Sequence, residues 1–171
     1  MKNVFKISVL AIAALFMVNC SDDDNSGGGS ANGWSVGSTN YTTSVTQRFS
    51  TGAIENAITA IDVTGGQANL NTAIIIFSEE TGIAAGTYRI ISETDGMLPD
   101  ANEIMISAGT NYDEATGQYG TSYYPVSGQT VDATVTITGG KAKIVIPQIN
   151  VTPIPLGSGT ATTFSGTIIE Q

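Results

Sequence analysis

Residues 131–146 read VDATVTITGGKAKIVI, and this stretch decides the fold. Val131, Ala133, Val135 and Ile137 alternate with Asp132, Thr134, Thr136 and Thr138. After Gly139-Gly140, Ala142, Ile144 and Ile146 alternate with Lys141, Lys143 and Val145. A period of two belongs to a strand with one buried face. A two-residue turn at Gly139-Gly140 sets Ile137 opposite Ala142, Val135 opposite Ile144 and Ala133 opposite Ile146. One face is then wholly apolar and the other carries Thr and Lys. A slip of one residue would turn the apolar set outward, so the register is well specified.

The same grammar extends in both directions. Gly65-Gly66 predicts a second tight turn, joining Ile61-Asp62-Val63 to Ala68-Asn69-Leu70. Ile54 and Ile58 are out of phase with Ile61 and Val63, which predicts a bulge or a short helical turn. Residues 73–77 (AIIIF) are apolar on both faces, as in a central strand with a covered outer face. Residues 41–49, 86–91, 103–106, 119–126 and 161–169 are further strand candidates. Pro147, Pro153 and Pro155 place 147–156 in an edge or a crossing loop. Roughly ten short strands without an amphipathic helix predict one all-β domain over 33–171. The expected form is a single antiparallel β-sandwich, with a β-barrel as the alternative.

Of 171 residues, 6 are Lys or Arg and 15 are Asp or Glu; there is no His and one Cys. A Cys/His zinc site, a His-based triad and a disulfide scaffold are therefore excluded. The net charge of −9 argues against nucleic acid as a partner, because phosphate neutralisation needs a basic face. Gly (20) and Thr (23) dominate instead, giving a polar, uncharged chain of strands and turns.

The N-terminus is an address. Lys2 and Lys6 precede an uncharged apolar run from Ile7 to Val18. As a helix its twelve residues would rise about 18 Å, short of the roughly 30 Å hydrocarbon core, so a secretion signal fits better than a span. Cys20 follows directly. This order resembles a bacterial lipoprotein signal, with Met17 where the pattern has Leu and Asn19 where it has a small residue. Ser21-Asp22-Asp23-Asp24 resembles the acidic surface-export signal of Bacteroidota lipoproteins. The resemblance implies residues 1–19 as signal peptide and Cys20 as the acylated (palmitate-bearing) N-terminus. It further implies export machinery as a partner and an outer-membrane, cell-surface location, held through the lipid. Asn25 to Asn32 completes a flexible tether over residues 20–32. Without residues 1–19 the chain keeps four cations (Arg48, Arg89, Lys141, Lys143) against 15 acids, a net −11. Trp34-x-Val36-Gly37, Gly86-Thr87-Tyr88 and Phe164-Ser165-Gly166-Thr167 resemble small uncharacterised β-domains of the same lipoproteins, which implies no activity.

Few residues offer chemistry. Glu79-Glu80 are neighbours on one chain and point apart, which suits a solvated turn rather than a glycosidase pair. Asp95, Asp100, Asn102 and Glu103 share one loop and are the candidate calcium ligands, although their spacing matches no EF-hand. No nucleophile elbow or phosphate loop occurs. Tyr112, Tyr119, Tyr123 and Tyr124 fall within thirteen residues and are the candidate ligand-binding group, since a phenol offers an apolar face and a hydroxyl. Trp34, the only Trp, reads as a core residue. Arg48 reads as an exposed strand side chain or, in a filament subunit, a processing site. The sequence thus predicts no enzyme and no obligatory cofactor. It predicts a non-catalytic cell-surface lipoprotein binding a glycan or another envelope protein, the alternative being a structural component of the outer membrane or of a surface filament.

Overall fold

The computed structural model describes residues 32–50, 52–53, 55–66, 69–92, 98–154 and 160–171. The expected signal peptide, Cys20, Ser21, Asp22, Asp23, Asp24 and the tether through residue 31 lie outside the described residues. Eleven strands follow in chain order: β1 (Gly33–Val36), β2 (Thr39–Thr42), β3 (Val45–Ser50), β4 (Glu55–Asp62), β5 (Leu70–Phe77), β6 (Gly86–Ile91), β7 (Glu103–Asp113), β8 (Gln118–Pro125), β9 (Asp132–Thr138), β10 (Lys141–Ile154) and β11 (Thr162–Ile169). They form one sheet in the order β2-β1-β11-β10-β9-β6-β7-β5-β4-β3, while β8 pairs with both β10 and β7. The domain is all-β, as expected. Its one departure from antiparallel pairing is β6–β7, which run parallel because an excursion rather than a tight turn joins them.

The deciding hairpin forms in the expected register. Ala142 faces Ile137 and Ile144 faces Val135. Both turn glycines take left-handed backbone, φ 58° and 81°, as a tight hairpin turn requires. Ala133, Val135, Ala142, Ile144 and Ile146 are all at most 2% exposed. They join Trp34, Ile58, Ile75, Phe77, Ile104 and Phe164 in one core cluster. A single sheet that feeds one core from eight of its strands has to curl around it.

The sheet forks at β10. One edge of this 14-residue strand pairs with β11 from Lys143 to Val151. The other pairs with β9 up to Val145 and with β8 from Val151. Between these neighbours Gln129 stands in for a strand. Its Oε1 accepts the Asn150 N–H (2.6 Å), and its Nε2 donates to the Asn150 (2.8 Å) and Val126 (3.0 Å) carbonyls. The proline expectation is corrected here, because Pro147 and Pro153 lie inside β10. Pro147 sits where the register with β11 shifts, between Ile146 and Ile149. Pro153 lies beyond the last β11 partner, so only β8 flanks it. Neither position needs a second ladder N–H.

Two further expectations shift. The run 41–49 bends at Thr43-Ser44 into β2 and β3, which are the two ends of the sheet. The Gly65-Gly66 turn is longer than two residues, since Asp62 faces Asn71. Asp62 Oδ1 accepts the Thr64 N–H at 3.0 Å, and this local bond starts the turn early. Of the predicted irregularity, Ile54 lies outside the described residues, and just before Ile58 the register between β3 and β4 shifts at Phe49/Ser50.

Side chains tie β3, one end of the sheet, to the chain beyond β11 and to the β9–β10 turn. Arg48 of β3 is bidentate to Glu170, just past β11, and also donates to the Gly140 carbonyl (2.7 Å). Gln171 N–H donates to Thr46 Oγ1 (2.9 Å). Asn32 bonds both the N–H and the carbonyl of Ile169, so the fold begins one residue before Gly33. Burial pushes the Glu170 carboxyl up. Its bonds from Arg48 and the Ala142 N–H, with the charges of Arg48 and Lys141, outweigh that and hold it below the usual range.

Arg48→Met should cost about 2–3 kcal/mol at pH 7, because Glu170, 13% exposed in its side chain, loses its charged partner. A carboxyl with a lowered folded-state pKa stabilises the fold above the ordinary glutamate range, and this contribution is lost as pH falls through the folded value. The gap between parent and variant in urea midpoints should therefore narrow on acidification. A gap as wide at pH 3 as at pH 7 would show that the ion pair is not its source. At the fork, Gln129→Ala should cost about 1–2 kcal/mol. Gln129→Glu should cost more despite its matching shape, because it sets a carboxylate against two carbonyl oxygens; the reverse order of midpoints would refute the strand-substitute role.

Candidate functional site

The β1–β2 hairpin packs at the edge of the sheet with β11 and β10 beside it. Trp34, Ile146 and Phe164 face the core. Alternation therefore turns Ser35, Thr42, Val145, Ser165 and Thr167 outward. The outer face is concave here, forming a groove of about 550 Å³ that Asn40 also lines. Its floor is Gly33, where an added Cβ would stand 2.3 Å from the Tyr41 carbonyl oxygen, so the two backbones can approach only with glycine. Ser35 and Ser165 hydroxyls meet at 3.0 Å across the ladder. Every side chain lining the groove is uncharged. A second cleft, of about 310 Å³, sits in the crotch of the fork between Arg89, Glu103 and residues 126–130. Arg89 has Asp132 and Glu103 as its register partners on either side, a minus–plus–minus row across three strands.

The candidate tyrosines separate. Tyr112 and Tyr119 pair as tilted rings with centroids 5.2 Å apart. Tyr119 lies over Gly109, and its oxygen accepts the Thr72 hydroxyl at 2.9 Å. Burial, ahead of Tyr112 and against the Thr72 bond, raises the Tyr119 pKa. Tyr123 packs against the core and Tyr124 is 6% exposed. The four therefore form no single platform.

Of the candidate calcium ligands, Asp95 lies outside the described residues. Asp100 and Glu103 bond each other's backbone and side chain, with the Asp100 N–H donating to Glu103 Oε2 (3.2 Å) and the Glu103 N–H to the Asp100 carbonyl (3.0 Å). Asn102 takes the left-handed conformation between them, φ 66°. Among the described residues no three His, Cys, Asp or Glu side chains come close enough to hold a metal ion. Glu80 lies in a hydrogen-bonded turn capped by Ser78, and Gly82 N–H donates to the Ser78 carbonyl (2.9 Å). Arg48 is half-buried and engaged by Glu170, a poor substrate for a processing protease.

No family model, no curated protein and no solved structure matches this chain. The groove escaped sequence reading because Ser35, Asn40, Thr42, Ser165 and Thr167 are spread over three strands far apart in the chain. The glycine at position 33 beside alternating small hydroxyls was the only local sign.

Gly33→Ala should destabilise by about 1–3 kcal/mol, since the hairpin must open to admit the methyl group. Gly86→Ala, whose Cβ would meet nothing closer than the Tyr88 ring at 3.5 Å, should be tolerated. Equal thermal midpoints for the two variants would contradict the close approach.

Proposed function

We propose that the protein is a non-catalytic, lipid-anchored cell-surface domain that binds a neutral glycan or an uncharged stretch of another envelope protein in the outer groove of β1, β2, β10 and β11. The observation that carries this reading is the groove's lining, where hydroxyls and amides stand beside Trp34, Tyr41, Val145 and Ile146 and no side chain is charged, in a chain that bears 15 acids. Hydroxyl and amide side chains both donate and accept, which matches a polyhydroxylated ligand and offers nothing to a charged one. A rigid sheet keeps these groups at fixed spacings, so little order is lost on binding. Membrane attachment follows from acylation of Cys20, where each buried CH₂ contributes about 0.8 kcal/mol. Asp22, Asp23 and Asp24 then serve as the export signal beside the lipid.

Asn40 and Thr42 are exposed, so replacing both with Ala leaves the core alone. The double variant should keep the parent's thermal midpoint and bind a neutral glycan about tenfold more weakly, a loss of roughly 1.4 kcal/mol. Unchanged binding would remove the groove from the account. Cys20→Ala should abolish incorporation of labelled palmitate, and equal labelling would refute the anchor.

A further inference from the structure

Trp34 and Thr43 are each more than nine-tenths buried, at 3% and 4% exposed. Among the described residues neither the indole Nε1–H nor the Thr43 hydroxyl has a hydrogen-bond partner. Folded proteins rarely leave such groups unpaired, so each asks for an explanation. Both belong to the β1–β2 hairpin and its exit. Trp34 faces Tyr41 across the ladder, and the Thr43 N–H continues that ladder to the Asn32 carbonyl (3.0 Å), so the buried Thr43 turns to the same side as Tyr41. That side is the interior, since Trp34 is in the core cluster and Tyr41 packs against it.

Two further groups reach the same end of the interior. Asp62 alternates with Ala60 and Ile58 of the core and is 3% exposed. Its oxygens accept from Thr64 and, at 3.4 Å, from Asn71 Nδ2. No Lys or Arg among the described residues pairs with it. Tyr123 of β8 also packs on the core there. The Ser44 N–H donates to the Ile61 carbonyl (2.8 Å) and the Val63 N–H to Ser44 Oγ (3.2 Å), which sets Asp62 beside the exit of the hairpin. In keeping with this, the Tyr41 hydroxyl pKa is raised by burial first, and then by Tyr123 and Asp62. Tyr41 itself is half-buried and stacks on Trp34, with centroids 5.5 Å apart and planes 20° from parallel.

The chemistry selects a ligand class. A metal ion needs oxygen donors and gains nothing from an indole N–H. An anion meets the buried Asp62 carboxylate, and a cation leaves the Trp34 N–H unpaired. A hydroxyl both accepts and donates, so it satisfies the N–H and the carboxylate together. A flat ring with apolar faces and hydroxyl edges would also stack on the indole where Tyr41 now lies.

We propose that this end of the interior is a binding site for one neutral sugar ring, which displaces the Tyr41 ring from Trp34, accepts from the Trp34 N–H and the Thr43 hydroxyl, and donates to Asp62. The site lies on the inner side of the hairpin, whose Trp34 and Tyr41 also border the groove, and it stands without the envelope reading.

Trp34 is the only Trp, so intrinsic fluorescence reports from the site itself. The whole chain, in a sugar-free detergent, is titrated with neutral hexoses and N-acetylhexosamines, and with hexuronates as the charged control. A saturable emission change with at least one neutral sugar and none with the uronates is expected. Tyr41→Ala should bind severalfold more tightly, because the stacked ring no longer has to leave. Thr43→Val, of the same shape, should bind about tenfold more weakly, and so should Asp62→Asn if it folds. No saturable response in either the parent or Tyr41→Ala would overturn the proposal and assign the two unpaired groups to ordered water alone. A response that Thr43→Val leaves unaltered, or that uronates reproduce, would overturn it as well.

Discussion

One strand edge cannot serve two neighbours in succession unless something occupies the step between them. In β10 that step falls at Asn150, past the reach of β9 and at the limit of β8, whose next residue, Val126, donates its N–H to the Asn150 carbonyl (3.0 Å). The Gln129 amide reproduces the pair of bonds a strand backbone would make there. Around it the sheet divides, with β9 and β6 on one branch and β8 on the other, and β7 gathers both again. Asn32 acts in the same way where β1 stops, bonding Ile169 as a strand residue would. Two side-chain amides thus continue ladders that the backbone leaves unfinished. Backbone groups at a break in a ladder still need partners, and a side-chain amide carries both required functions in one planar group.

Charge distribution follows a similar economy. With four cations against ten acids among the described residues, self-repulsion works against a compact state. Arg48 and Lys141 both act on Glu170, where β3 meets the chain just past β11. Arg89 stands between Asp132 and Glu103 on the outer face. Three of the four cations are therefore stationed where carboxylates from different strands approach one another. The outer groove is left without charge, which makes its chemistry distinct from the rest of the surface.

What could be read from the chain depended on how local each pattern is. The hairpin at 131–146 was legible because alternation and turn glycines lie within sixteen consecutive residues. The strand through Pro147 and Pro153 was not, since their tolerance depends on a register shift and on where β11 ends. The length of β7 was hidden too: beyond Ile106 the pattern passes into Ser107, Gly109 and Thr110, small residues that pack under Tyr119 and beside Thr121. The tyrosine cluster was visible as composition, but alternation in β8 and the irregular course of β7 near Asn111, φ 55°, distributed its members. Neither groove nor interior site has a sequence signature, because each is assembled from strands that meet only in the folded sheet.

The two faces of the β1–β2 hairpin offer a final contrast. Outward, the exposed Asn40 and Thr42 can exchange bonds with water, so leaving such groups unpaired within the protein costs little. Inward, Trp34 and Thr43 have no such exchange, and the same kind of group becomes expensive to leave alone. A purely structural core would favour Phe over Trp and Val over Thr at these two positions, since each keeps the shape without the unpaired donor. The presence of both polar variants on one interior patch, beside a buried carboxylate that lacks a cation, is therefore hard to derive from packing alone. It is what a surface shaped to exchange hydrogen bonds would require.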